Sequence, residues 1–222
     1  MALTDSLTFQ DGGPNFFDSL GPAQASKEDT SYPKNASTST GYADALQDVA
    51  ATYPVLAPHT KNVLAYDATP PKGSEDDGLE TYPPWEEFNP HPGKITIEVY
   101  KPFQSRQEAR DAIAGDLIHI AGAINPSTKQ PVDSTYYKMK QEVKKARDAE
   151  QIAIDYKAYK DDVKNGEKRS FNKWFENSRS EAYVRGRLFP DKNDEWKSFY
   201  EKNPKLKQAV DNIGKYLKTG KE

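Results

Sequence analysis

The side chains most able to do chemistry in this sequence are three histidines and a large supply of carboxylates, since the chain contains no cysteine. Without thiols there is no thiolate nucleophile, no thiolate metal site and no disulfide. His59 and His91 each sit beside prolines in stretches that read as extended chain. His119 lies in a helical stretch with Asp116 one turn earlier. An Asp–His pair can orient an imidazole for general-base work, and it serves equally as a surface or interhelical hydrogen bond. No His-x-x-x-His or His-Glu-x-x-His pair occurs, so a helical zinc site has no support. The phosphate-binding patterns GxxxxGK[ST] and GxGxxG and the GxSxG elbow are also missing. Glu86-Glu87 and Asp161-Asp162 are adjacent carboxylates, but a chain that is 29% charged supplies such pairs as ordinary solvated surface. The expectation is a protein that is not an enzyme, with no catalytic, cofactor-binding or metal-ligating residue and no cofactor.

Basic residues suggest a different chemistry. Lys138, Lys140, Lys144, Lys145 and Arg147 lie close together, Arg179, Arg185 and Arg187 flank Tyr183, and five lysines stand between 205 and 221. Lysine and arginine neutralise phosphates and aromatic rings stack on bases, so nucleic acid is a candidate partner. It ranks second, because Glu142, Asp148 and Glu150 interrupt the first cluster and the whole chain is acidic at net −3. That net charge hides a division. Residues 1–104 hold six Lys/Arg against 15 Asp/Glu, and residues 105–222 hold 25 against 19. Opposite charge allows the acidic half to dock on basic surface, in its own chain or a neighbour's.

The elements that would position these groups follow the same division. Hydrophobic residues make up 35% of the chain and the mean hydropathy is −0.93, so part of it should lie outside any core. Twelve of the 16 prolines precede residue 105. Proline fixes φ and biases its predecessor away from helix, so residues 1–80 read as an extended acidic arm with little regular structure. Within it, residues 42–51 can form one short helix with Leu46 and Val49 on one side, which needs a surface to lie on. Phe16-Phe17, Leu46, Val49 and Tyr53 are the arm's candidate partner-binding residues, and Trp85 joins them, presented on the stiff Pro83-Pro84 segment. Trp85 can equally cover the protein's own core. Residues 94–100 alternate Ile95, Ile97 and Val99 with Lys94, Thr96 and Glu98, the period of a strand.

Helical signals begin at residue 105. Ser105 and Glu108 form a capping box, and Ala109, Ile113, Leu117, Ile120, Ala121 and Ile124 make one apolar stripe behind it. A second helix, capped by Asp133 or Ser134, reads through to Val163, about 45 Å at 1.5 Å per residue. A third starts at Ser170 with Phe171, Trp174 and Phe175, breaks near Ser178 or Ser180, and stops at Pro190. A short helix capped by Asp191 carries Trp196, Phe199 and Tyr200. Asn203-Pro204 opens the last helix, whose Leu206, Val210, Ile213 and Leu217 share a face and which ends near Gly220. The expected fold is mainly α: about five helices with one short strand over residues 81–222, preceded by the arm.

Three stretches carry a resemblance. Tyr82-Pro83-Pro84-Trp85-Glu86 with Asn89-Pro90-His91-Pro92-Gly93-Lys94, Gly115-Asp116-Leu117-Ile118-His119, and Tyr183 to Asp191 with Asp194-Glu195-Trp196 resemble segments of uncharacterised tailed-bacteriophage proteins over about residues 80–200. These clusters are aromatic, proline-rich and charged, and no functional residue carries over. The resemblance implies a phage gene product, made in the host cytoplasm and residing in the virion as a minor capsid-associated, cementing or head–tail component. Its partners would be other virion proteins. The alternative is a soluble phage regulator that binds a host protein or nucleic acid. No apolar run approaches the ~20 residues of a membrane span, so no membrane partner is expected.

Overall fold

The central strand of a small sheet organises the first half of the fold. The computed structural model describes residues 42–71, 78–189 and 202–221. Strand β3 (Ile95–Val99) lies between β1 (Val63–Asp67) and β2 (Leu79–Tyr82), parallel to the first and antiparallel to the second. Ile95, Ile97 and Val99 of β3 are buried in the core. The strand expected over 94–100 is therefore present, but its two partners went unread. Val63-Leu64-Ala65-Tyr66 and Leu79-Glu80-Thr81-Tyr82 are too short to show a period of their own.

The expected arm boundary at residue 80 does not match the described structure. Helix α1 (Ala43–Thr52) and the single turn α2 (Ala57–Thr60) pack in the body together with β1. Tyr42, Ala45, Val49, Tyr53 and Leu56 are all buried, and burying such side chains contributes about 1.5–3 kcal/mol for each large one. Proline here punctuates structure without holding the chain extended: Pro54 follows α1, and Pro58 occupies the first turn of α2, where a missing N–H costs nothing. One charged link between the acidic and basic halves is Arg106 on Asp48 (2.6 Å) and Asp44 (3.6 Å). Arg106 holds the Asp48 carboxyl below its usual range. Both partners are exposed, so water screens the pair and apolar packing dominates the docking of α1 on α3.

Helix α3 (Arg106–Gly122) is the buried spine. Ser105 accepts from the Glu108 N–H (3.1 Å), while the Glu108 carboxylate reaches back to the Gln104 N–H (2.6 Å). The expected 30-residue second helix is two: α4 (Ser134–Ala146) and α5 (Ala149–Lys164). The first ends at Arg147, and Asp148 caps the second by accepting from the Gln151 N–H (2.8 Å). The i,i+4 charge pattern runs through this point and hides the cap. Beyond α5, α6 (Phe171–Trp174) continues without a break into a π-helical turn (Phe175–Arg179) and α7 (Ser180–Leu188). The extra residue of a π turn rotates the next section of helix by roughly 100° relative to a regular helix. Trp174 and Phe175 before the turn and Glu181, Tyr183 and Val184 after it are thereby all buried. The helix expected after Asp191, with Trp196, lies outside the described residues. Helix α8 (Pro204–Thr219) has the expected cap, Asn203 accepting from the Leu206 N–H (3.0 Å), and ends at Gly220 with φ +68°.

Gly122 closes α3 where a side chain cannot fit: a Cβ there would lie 2.8 Å from Lys140 Nζ and 2.9 Å from the ring of the buried Tyr136. Gly214 in α8 would meet only Leu188 at 3.5 Å. Urea unfolding should show Gly122→Ala destabilised by about 1–3 kcal/mol through overpacking. Gly214→Ala should be stabilised by up to ~1 kcal/mol through helix propensity.

Candidate functional site

Two groups of residues stand out against this fold: carboxylates buried among the second-half helices, and an apolar surface on the outside of α5. The first group is centred on α7. Glu181 lies inside the body with its side chain 3% exposed. One oxygen accepts from Lys140 Nζ of α4 and the other meets His119 Nδ1 of α3, each at 2.5 Å. Burial pushes the Glu181 carboxyl toward neutrality, but His119 and Lys140 outweigh it and hold the group below the usual carboxylate value. The Asp116–His119 pair suggested by spacing is replaced by two separate contacts. The carboxylate at His119 Nδ1 is Glu181, while Asp116 takes Arg185 (3.1 Å) and the Thr81 hydroxyl (2.5 Å). With both oxygens engaged, Glu181 clamps α3, α4 and α7 together.

A second buried carboxylate does the same for α5. Asp155, with no exposed surface, accepts from Arg147 (2.8 Å), Arg179 (3.1 Å), the Tyr183 hydroxyl (2.8 Å) and Gln151 (3.3 Å). The Arg147 guanidinium also lies 3.5 Å from the centre of the Phe175 ring, a stacked contact that lowers the cost of burying it. Asp148 further accepts from the Asn203 side chain (3.1 Å), so the caps of α5 and α8 are joined.

These contacts bear on the basic clusters. Lys140, Lys144 and Arg147 are tied to Glu181, Glu176 and Asp155. Arg179, Arg185 and Arg187 are tied to Asp155, Asp116 and Asp211. Much of the basic charge that suggested phosphate binding is thus matched within the chain. Among the described residues, no group of three His, Asp or Glu side chains is placed to hold a metal, and no helix is long and apolar enough to cross a membrane.

The second group is the surface of α5. The residues this helix buries are Gln151 and Asp155, whereas Ile152, Tyr156 and Val163 are 40%, 45% and 44% exposed. An ordinary surface helix turns its whole apolar stripe to the core, whereas here Ala158 and Tyr159 pack against it while Ile152, Tyr156 and Val163 stay outside. Tyr156 and Tyr159 meet Phe171 at centroid distances of 5.3 and 5.5 Å, and Phe171 stacks on Trp174 at 5.9 Å. The Trp174 indole N–H donates to Asp162 (2.6 Å), which anchors this aromatic layer to α5. Tyr156 with the partly buried Tyr159 and Phe171 thus forms an aromatic strip from α5 to the start of α6, laid over the buried Trp174.

The residues expected to bind partners fall elsewhere. Val49 and Tyr53 are buried in the chain's own core, and Leu46 and Trp85 pack against it. Burial pushes the Tyr53 phenol up to about 12. Trp85 belongs to a proline-rich loop closed by the buried Asn89, which donates to the Pro83 and Lys94 carbonyls and accepts from the Thr96 hydroxyl and the His91 N–H. Phe16 and Phe17 lie outside the described residues. Sequence reasoning missed Glu181 and Asp155, although one signal existed: Tyr136, Lys140 and Val143 share a helical face, which places a lysine on a buried stripe. Helical spacing puts Ile152, Tyr156, Tyr159 and Val163 on one face of α5, but the direction this face takes was not legible. No protein-family model, curated protein or solved structure matches this chain.

Removing one member of a buried ion pair strands the other. Glu181→Gln should cost about 3–5 kcal/mol in urea unfolding, and adding Lys140→Met should recover part of that loss. The Glu181 carboxyl is held low in the folded state, so its stabilisation is complete above the unfolded carboxylate value of about 4.3 and fades as pH falls through the lower folded value. The wild-type urea midpoint should therefore drop more steeply below about pH 4.5 than that of Glu181→Gln.

Proposed function

We propose that this chain is a non-enzymatic structural or assembly protein of a tailed-phage particle. In this reading it is a minor capsid-associated, cementing or head–tail component that joins neighbouring virion subunits through the segment before Tyr42 and the α5–α6 face. The observation that carries a docking role is helix α5, which buries Asp155 and Gln151 and leaves Ile152, Tyr156 and Val163 outside. An apolar aromatic surface of this kind marks a contact site, because exposing it to water has a free-energy cost that a partner removes. The phage setting rests on the resemblance over residues 80–200. Glu181 and Asp155, saturated by donors, act in this reading as the rigid support of the face.

Mass spectrometry of purified particles should find the chain at a fixed copy number. Deletion of residues 1–41, which spares every described element, should lower incorporation at least tenfold. Ile152→Ser with Tyr156→Ser should do the same while leaving the helical circular-dichroism spectrum intact. Absence of the wild-type chain from particles would overturn the virion role.

A further inference from the structure

The α5–α6 face exposes Ile152, Tyr156 and Val163 to water when the protein is alone, and its chemistry indicates which segment would cover it. The exposed Ile152, Tyr156 and Val163 lie in a stretch rich in exposed cations: Lys157, Lys160, Lys168 and Lys173. Lys160 stands 5.0 Å over the Tyr156 ring. The acids of the same stretch are largely engaged, Asp155 in the interior, Asp162 on Trp174, Asp161 on Lys164 and Glu167 on Arg169. The complementary partner is an acidic segment with aromatic anchors.

The chain carries such a segment. Its first 26 residues contain Asp5, Asp11 and Asp18 and no lysine or arginine, interspersed with Leu7, Phe9, Phe16, Phe17 and Leu20. We propose that residues 5–20 dock, within the same chain, on the α5–α6 face, with Phe16-Phe17 against Tyr156 and Ile152 and the aspartates toward the lysines. This inference rests on the docking role proposed above and names the first occupant of that face, with which a virion partner must compete.

Tethering favours the chain's own segment over a second copy's. Twenty-four residues lie between Phe17 and Tyr42, where the described residues begin. A stretch of that length can reach at most about 80 Å. A folded body of some 160 residues has a radius of gyration of only about 15 Å, so every face is within range. A tether of this kind holds its end at roughly millimolar effective concentration, well above a micromolar protein solution.

The absence of cysteine makes the test clean. Asp18→Cys is paired either with Ala153→Cys, on the exposed side of α5, or with Gln208→Cys, exposed on α8. Each full-length double variant at micromolar concentration is treated with a short bismaleimide, and the linked peptides are identified by mass spectrometry. The expected result is an intramolecular 18–153 link forming at least fivefold faster than 18–208, with the preference lost in Phe16→Ser/Phe17→Ser and reduced in 1 M NaCl. Equal rates at the two sites overturn the proposal, as does a linked dimer in place of a linked monomer. The readout uses isolated protein and not particles. A chain absent from particles that still shows the preference ends the virion reading and leaves this contact standing.

Discussion

A carboxylate with no access to water must be surrounded by donors from the protein, and that constraint fixes how the second half of this molecule is assembled. Asp155 and Glu181 each draw donors from more than one element of the chain. Neither can be satisfied by one helix alone, so α3, α4, α5 and α7 have to arrive in one mutual arrangement. A buried ion pair adds little net stability compared with an apolar contact, but an incorrect arrangement would leave a charge unmatched inside. The hydrophobic core supplies the bulk of the driving force, and the two carboxylates select among the ways of packing it.

The π turn belongs to the same constraint. A regular helix from Phe171 to Leu188 would point its two apolar sections in different directions. One added residue rotates the second section, so Glu181 reaches Lys140 and His119 while Tyr183 reaches Asp155. The local irregularity is held in place by Ser180, whose backbone N–H bonds to the Phe175 carbonyl and whose hydroxyl bonds to that of Glu176. The exposure of α5 is a result of this arrangement. With Gln151 and Asp155 committed inward, Ala158 and Tyr159 still reach the core, but Ile152, Tyr156 and Val163 are left at the surface.

Features that depend on neighbours along the chain were legible in the sequence. The caps at Ser105, Asp133 and Asn203, the face of α8, the strand around Ile97 and the stripe of α3 from Ala109 to Ala121 are present, while Ile124, expected to end that stripe, lies beyond the helix and is exposed. Features that depend on distant partners were not. Val63–Asp67 becomes a strand because β3 lies beside it, and proline content there gave the opposite signal. Lys140 and Glu181 are 41 residues apart, and each alone is indistinguishable from a solvated surface charge. The outward face of α5 was hidden for the same reason: periodicity identifies which residues share a face, but the donors that draw Asp155 inward include groups from the end of α4, the π turn and α7.

The order of elements along the chain also sets a timetable. Helix α1 comes early, yet the surface it covers belongs to α3, and β1 is completed only by β3. About 64 residues separate Val49 from Ile113, and at 5–20 residues per second the ribosome needs about 3 to 13 seconds to supply them. During that interval Tyr42, Val49, Tyr53 and Leu56 have no core to enter. The chain emerging in that window carries a net negative charge and is interrupted by prolines that resist strand pairing between nascent copies. The acidic charge and prolines that made the first hundred residues look like an arm thus both oppose association between nascent copies while the early part of this late-forming core waits for its partners.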